Sequence, residues 1–181
     1  NDIYFYKLAE KVGVDKLAAT SKKFGIGSKL GIDIGGEMSG LVPTKDWKEK
    51  EIGEKWYLGD SFHFGIGQGY LLTTPLQVNT WTQTIANGGT LYQPHLLKNQ
   101  SGKVLDQDLV SDKTRELLRQ GMIASCSPGG VAFPLYDFKV KNAKLQIDDK
   151  NYVKVASSSA DMRKIPVACK TGTAQHGGEK T

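Results

Sequence analysis

The chain has 181 residues, of which 39% are hydrophobic and 24% are charged, and it carries a formal net charge of +5. This is the composition of an ordinary globular domain with a core of its own, and no apolar run approaches the length of a membrane span. The scattered lysines lack the arginine and aromatic interleaving of a nucleic-acid surface. The three histidines, His63, His95 and His176, are not at metal-ligand spacing. The sequence therefore predicts no nucleic-acid partner, no metal and no cofactor.

Two short helices and at most a small strand are predicted near the N-terminus. The first helix has Asp2 as its N-cap, apolar residues three positions apart, and an end at Gly13. The second helix is capped by Asp15 and stops at the glycines of residues 25–27. Residues 31–34 are too short for more than a small strand.

The segment from residue 47 to residue 70 contains aromatic residues and closely spaced glycines. Trp47, Trp56 and Tyr57 are interpreted as packing residues, with a binding platform as the less favoured alternative. The glycines match neither of the glycine-rich phosphate-binding patterns, so the sequence predicts no nucleotide site.

The clearest helix start is Thr74-Pro75-Leu76-Gln77, which combines a capping threonine, a proline at the first helical position and a glutamine three residues after the cap. Val78, Trp81 and Ile85 form an apolar stripe, and Asn87-Gly88-Gly89 ends the helix. The pattern predicts a central helix that is buried on its apolar face.

The remaining chain is predicted to contain an edge strand, another helix and an insertion. Residues 90–97 are extended, with Pro94 confining them to a sheet edge. Ser111 caps the next helix, whose inward residues are expected to be Leu117, Leu118 and Met122. Residues 133–164 alternate in short strand-like runs and are interpreted as an insertion.

A run of small residues then leads into Lys170-Thr171-Gly172-Thr173. On an extended chain Lys170 and Gly172 share one face, and Thr171 and Thr173 share the other. The lysine offers a point charge to a carboxylate, the glycine leaves room for a substrate backbone, and N–H groups near Thr173 could serve an oxyanion. The alternative is a surface lysine on an edge strand.

Five runs in this order, residues 40–48, 56–60, 65–77, 87–89 and 170–174, resemble the class B penicillin-binding proteins, most of all the elongation-type transpeptidases. The resemblance covers most of the chain and implies an α+β fold with a central antiparallel sheet between helical layers. Residues 1–181 are then expected to be a partial transpeptidase domain, truncated at both ends. The domain would be mostly helical here, with one inner strand and an insertion at about 133–164 that departs from the family pattern.

The chemistry that the resemblance implies is acyl transfer through a serine acyl-enzyme. Lys170 would hold the substrate carboxylate and tune the serine-lysine pair, while Thr171, Gly172 and Thr173 would bind the substrate or a β-lactam. Asp2 falls at the third position of the family's Ser-x-Asn or Ser-x-Asp motif and would support the proton network. No Ser-x-x-Lys occurs in the chain, so the nucleophile is expected to lie outside it.

The partners implied by the resemblance are peptidoglycan stem peptides, β-lactam antibiotics, the remainder of the transpeptidase domain and a membrane glycosyltransferase. The implied location is the extracytoplasmic face of the cell membrane. Two alternatives stay open: a D,D-carboxypeptidase or β-lactamase of the same superfamily, and a non-catalytic scaffold or β-lactam sensor.

The chain has two cysteines, Cys126 and Cys169. They flank the predicted insertion, and exported proteins retain disulfides. A bond between them would stabilise the fold by about 4 kcal/mol in the chain-entropy model. Two buried free thiols are the alternative, and the sequence favours them narrowly.

Overall fold

The computed structural model describes residues 2–140, 146–147, 153–154 and 163–172. The chain divides into two compact units, and the described residues up to 115 belong to the first and those from 116 to 172 to the second. The helices are α1 (Asp2–Val12), α2 (Val14–Lys23), α3 (Lys45–Ile52), α4 (Leu58–Gly65), α5 (Pro75–Ala86) and α6 (Asp112–Ser125), with a 3-10 helix at Phe133–Asp137. The strands are β1 (Leu91–Tyr92), β2 (Val104–Asp106), β3 (Lys139–Val140), β4 (Gln146–Ile147), β5 (Val153–Lys154) and β6 (Arg163–Lys164). No helix in the described ranges is both long enough and apolar enough to cross a membrane.

Helices α1 and α2 confirm the two predicted N-terminal helices. α1 packs against α4 at small residues: Ala9 is buried, and a side chain on Gly65 would collide with it. The N-cap of α2 is Gly13 and not Asp15, so that prediction is wrong. Asp15 lies in the first turn of α2 instead, and its carboxylate accepts from the Lys45 ammonium at 2.8 Å.

The core of the first unit gathers side chains from α2, α4 and the loops between them. The buried members are Val14, Ala18, Ile26, Val42 and Phe64, with Leu17, Trp56, Leu71 and Trp81 packed against them. The indole N–H of Trp56 donates to Ser61 Oγ at 2.9 Å. Trp56 is therefore a packing residue, as the sequence indicated.

Residues 31–34, for which the sequence allowed no more than a small strand, form none. The carboxylate of Glu37 accepts hydrogen bonds from the backbone N–H groups of Leu30, of Gly31 at 2.9 Å and of Ile32 at 3.3 Å. Because a side chain already satisfies these donors, the segment needs no strand partner.

Helix α5 begins as predicted, with Thr74 as its N-cap and a complete capping box with Gln77. The prediction of its buried face is only partly correct: Trp81 packs against the core, but the fully buried residues are Gln77, Thr80 and Thr84, and Val78 is 40% exposed. The threonine hydroxyls donate to the carbonyls four residues earlier, both at 2.9 Å. A polar face can be buried here because the helix backbone satisfies its hydroxyl groups.

Strand β1 pairs with β2 in an antiparallel hairpin that is much shorter than the extended run predicted for residues 90–97. The turn before it is held by Asn87, whose side chain accepts from the N–H groups of Gly89 and Thr90 and donates to the Thr90 carbonyl. Gly88 and Gly89 have φ angles of 94° and 104°, which glycine tolerates. The predicted end of the helix at these glycines is confirmed.

A buried lysine organises the surface beside α3 and α4. The side chain of Lys48 is 2% exposed, and its ammonium lies 2.8 Å from a carboxylate oxygen of Asp60 and 3.3 Å from one of Glu54. The same nitrogen lies 4.8 Å from the ring centre of Tyr57 and 5.6 Å from that of Tyr70. The charge is therefore compensated by carboxylates and by aromatic faces, as a buried lysine requires.

The pairing shifts both ionisable groups in the directions that favour their charged forms. Burial opposes ionisation of Asp60, but the hydrogen bonds from Lys48 and from the Tyr57 N–H hold the pKa of Asp60 below its usual range. The hydrogen bond to Asp60 raises the pKa of Lys48 above its usual range, against the effect of burial.

This pair predicts a specific dependence of stability on pH. The depressed pKa of Asp60 gives stability that is fully present above the unfolded value of about 3.9 and is lost as the pH falls through the folded pKa. The raised pKa of Lys48 gives stability that is present below about 10.4 and is lost as the pH rises through the folded pKa. Asp60→Asn should therefore flatten the fall in melting temperature between about pH 5 and pH 2.

Asp15→Asn is the matched control, because Asp15 pairs with Lys45 at an exposed site where ion pairs contribute little. If the melting temperature of Asp60→Asn falls as steeply with decreasing pH as that of the unmodified protein, the role given to the Lys48–Asp60 pair is contradicted.

The second unit contains most of α6, the 3-10 helix and two small sheets. β3 pairs with β6, and β4 pairs with β5, both antiparallel, which places strand pairs in the segment predicted to be strand-like. α6 has no fully buried residue; Leu117 is 61% exposed and Leu118 39%, so their predicted inward orientation is not observed in the described residues.

Candidate functional site

Residues 165–172, called here the Lys170 segment, alternate in exposure along an irregular stretch of chain. Lys170 and Gly172 are exposed, while Cys169 and Thr171 are half-buried. A side chain added at Gly172 would meet no described atom within 4 Å. The predicted sharing of one face by Lys170 and Gly172 is thus present, and the described residues leave that face open.

Among the described residues, the backbone of the Lys170 segment is attached to the rest of the second unit by two hydrogen bonds. The N–H of Ile165 donates to the Phe138 carbonyl at 2.9 Å, and the N–H of Cys169 donates to the Met122 carbonyl at 3.1 Å. Residues 165–172 form no strand, so the predicted inner strand is represented here only by a stretch that alternates in exposure. The ammonium of Lys170 donates to the carbonyl of its neighbour Thr171.

Cys126 and Cys169 form a disulfide. Their Cα atoms are 6.3 Å apart, within the range that a disulfide spans. Cys126 directly follows the last residue of α6 and is 2% exposed. The narrow preference for free thiols is therefore wrong: the end of α6 and the Lys170 segment come together, which the spacing of the cysteines could not decide.

The other predicted site residues are placed less completely. Asp2 is the first residue of α1 and not the predicted N-cap; it is exposed in the first turn, where the positive end of the helix dipole stabilises a carboxylate. Asp2 belongs to the first compact unit, whereas Lys170 belongs to the second. Thr173 lies outside the described residues. The roles of Lys170, Asp2, Thr171, Gly172 and Thr173 thus stay predictions.

Gln77 has a structural role that the sequence did not indicate beyond capping. Its side chain is fully buried, and its amide nitrogen lies 2.8 Å from the Ser39 carbonyl, 2.9 Å from that of Ser28 and 3.2 Å from that of Gly25. Its amide oxygen accepts from the Thr74 N–H at 3.0 Å. One side chain therefore joins the start of α5 to both halves of the long connection between α2 and α3.

The sequence model of the penicillin binding protein transpeptidase domain matches residues 1–181. The chain therefore belongs to this family, and the resemblance read from its motifs is confirmed.

Curated relatives point to one branch of the family. The peptidoglycan D,D-transpeptidase MrdA of Haemophilus influenzae is 42% identical over 106 residues, which are 59% of this chain and 16% of that protein. MrdA of Acinetobacter baumannii is 31% identical over 210 residues, covering 98% of this chain and 31% of the relative. The chain thus spans less than a third of the length of these relatives.

Solved structures support the fold. PBP2 of Helicobacter pylori in complex with MreC is 36% identical with a TM-score of 0.67, over 74% of this chain and 26% of that one. PBP2 of Pseudomonas aeruginosa in complex with WCK 5153 is 34% identical with the same TM-score, over 74% and 32%. The α+β transpeptidase fold expected from the sequence is confirmed.

Proposed function

We propose that the chain is part of a peptidoglycan D,D-transpeptidase that cross-links stem peptides through a serine acyl-enzyme. The observation that carries the proposal is the Lys170 segment itself, with an exposed lysine and glycine on one face in a chain that the family matches from end to end. The names of the curated relatives support the reaction. The nucleophilic serine and its lysine are supplied by the remainder of the transpeptidase domain.

In this proposal Lys170 holds the carboxylate of the substrate and tunes the serine-lysine pair. Its exposed ammonium bonds to a backbone carbonyl, a neutral acceptor that an incoming carboxylate can replace with a stronger, charge-assisted hydrogen bond. The open space beside Gly172 admits the substrate backbone. Thr171 and Thr173 add hydrogen bonds to the carboxylate, an N–H near Thr173 serves the oxyanion, and Asp2 supports the proton network.

The proposed acyl transfer has two steps, acylation of the serine and transfer of the acyl group to an amine. The serine gives its proton to its lysine partner as its oxygen attacks the carbonyl between the two terminal D-alanines; the bond to the last D-alanine breaks, and that residue takes the proton on its nitrogen and leaves as the free amino acid. An amine of a neighbouring stem peptide then takes the acyl group, and the proton that it loses returns to the serine oxygen. A β-lactam is attacked at the same carbonyl position and stays attached.

We further propose that the full-length protein acts at the extracytoplasmic face of the cell membrane beside a membrane glycosyltransferase. One structural relative, 30% identical, is a peptidoglycan synthase complex that coordinates polymerization and crosslinking. The relative from Helicobacter pylori was solved with MreC. These assemblies support a partner of the same kind for this protein.

The proposal predicts a clear division of activity between the full-length protein and the chain of 181 residues. The full-length protein, given a D-alanyl-D-alanine stem peptide and an amine acceptor, should release D-alanine and form the cross-linked product detected by mass spectrometry. The isolated chain should form none, and fluorescent penicillin should not label a serine within it, because the nucleophile is supplied from outside.

Full-length protein blocked beforehand with an unlabelled β-lactam is the control. Formation of hydrolysed donor alone would replace transpeptidation with a carboxypeptidase or β-lactamase function. Absence of any acylation of the full-length protein would favour a scaffold, and a labelled serine within residues 1–181 would overturn the placement of the nucleophile.

A further inference from the structure

The covalent attachment of the Lys170 segment lies one residue from Lys170. Cys169 is bonded to Cys126 at the end of α6, and the Cys169 N–H also donates to the Met122 carbonyl within α6 at 3.1 Å. Cys169 is therefore fixed to a helix, whereas the next residue, Lys170, presents an exposed ammonium.

The end of α6, where Cys126 lies, is itself restrained by further contacts. Cys126 is 2% exposed, and the turn after it is closed by hydrogen bonds from Ala132 N–H to the Ser125 carbonyl at 2.9 Å and from Gly130 N–H to the Ser127 carbonyl at 2.8 Å. A bond to such a point restrains the backbone of Cys169 more than a bond to a free loop would.

The alternation of exposure keeps the disulfide away from the open face. Cys169 is half-buried whereas Lys170 and Gly172 are exposed, and neither sulfur atom lies within 4 Å of the position that a Cβ at Gly172 would take. The disulfide can therefore fix the backbone without occupying the space in front of Gly172. Another attachment of the segment, the bond from Ile165 to Phe138, lies five residues before Lys170 and restrains it less.

We propose that the Cys126–Cys169 disulfide is a positioning element for Lys170, so that acylation depends on the oxidised state of this pair. The inference rests on the proposed role of Lys170 in the transpeptidase site. Cys169 and Cys126 touch no substrate; they act by limiting where the Lys170 ammonium can lie when a carboxylate arrives. Small displacements of a positioned group are costly, since a shift of about 1 Å can slow a reaction a hundredfold.

Reduction reverses the restraint in a balanced two-electron step. A dithiol reductant attacks one sulfur, the second thiol of the reductant closes its own cyclic disulfide, and Cys126 and Cys169 are left as two thiols. No other bond of the chain changes, so reduced and oxidised samples of the same full-length protein can be compared directly.

The experiment compares the full-length protein oxidised, reduced by dithiothreitol, and carrying Cys126→Ser with Cys169→Ser. The first readout is hydrogen exchange of residues 165–172, and the second is the second-order rate of acylation by a fluorescent penicillin well below the melting temperature of each sample. We expect faster exchange and acylation that is about tenfold slower in both altered samples. Lys170→Ala should reduce the difference between oxidised and reduced protein, because the disulfide acts in large part through that side chain.

Two controls isolate the effect. Dithiothreitol should change neither readout in the double serine variant, which excludes action on other parts of the protein. Ser127→Ala perturbs the same turn by removing the hydroxyl that donates to the Ile123 carbonyl at 2.9 Å, and it should leave acylation unchanged.

Each outcome decides the matter. Unchanged exchange on reduction would overturn the restraint itself. Faster exchange with an unchanged acylation rate would show that the disulfide stabilises the structure without positioning Lys170. The same conclusion would follow if reduction slowed acylation equally in the Lys170→Ala variant. If the oxidised protein is not acylated at all, the proposed function fails, while hydrogen exchange still decides whether the disulfide holds the Lys170 segment.

Discussion

Lys170→Ala in the full-length protein is expected to slow acylation by a fluorescent penicillin on the order of a hundredfold, or about 2.7 kcal/mol in the barrier. The loss arises because the ammonium is exposed and offers its charge to a substrate carboxylate. The melting temperature should scarcely change, since substitutions of exposed side chains are usually within about 0.5 kcal/mol. Rates measured over a range of penicillin concentrations, beside thermal unfolding of the same samples, provide the test.

Lys170→Arg should recover only part of the rate, because the planar guanidinium places its donors differently from a point charge. Lys113→Ala removes another exposed lysine, in the first turn of α6, and should leave acylation unchanged. Near-normal acylation by Lys170→Ala would remove this lysine from the proposed site.

Gln77→Ala is expected to lower the free energy of unfolding by about 3 to 5 kcal/mol, a large part of the stability of a typical domain. The substitution removes the amide that donates to the carbonyls of Gly25, Ser28 and Ser39 and leaves acceptors without that donor in a buried place. The fall in melting temperature of the full-length protein, together with faster hydrogen exchange in residues 25–41, measures the effect.

Gln77→Glu separates the two duties of the side chain. A carboxylate can still accept from the Thr74 N–H in the capping box, but at neutral pH it cannot donate to the loop carbonyls. It should therefore be at least as destabilising as alanine. Gln83→Ala, at an exposed position of the same helix, is the control and should change the melting temperature little. A stable Gln77→Glu variant would show that capping, and not the loop contacts, is what matters.

Features that depend on neighbouring residues were predictable from the sequence. The start of α5 was predicted because threonine, proline and glutamine make its cap among themselves. The end at Asn87 was predictable for the same reason, since its side chain closes its own turn. The alternation of the Lys170 segment likewise results from the geometry of an extended chain.

Features that depend on the folded environment of a residue were not predictable. Thr80 and Thr84 are buried in α5 because their hydroxyls donate to carbonyls of the same helix, so the polarity of these residues did not indicate their exposure. No strand forms at residues 31–34, because Glu37 accepts the hydrogen bonds of backbone N–H groups there. The preference for free thiols was wrong because sequence spacing does not give the distance between two points of a fold.

The ladder between β3 and β6 pairs Lys139 with Lys164 and Val140 with Arg163. It brings the two ends of the intervening chain together before the chain enters the Lys170 segment. The number of residues between these ends then has little effect on the Lys170 segment, because doubling the length of a closed loop costs only about 0.6 kcal/mol. The span between Val140 and Arg163 is therefore a place where the chain can be shortened, lengthened or given a new sequence while Lys170 stays where it is.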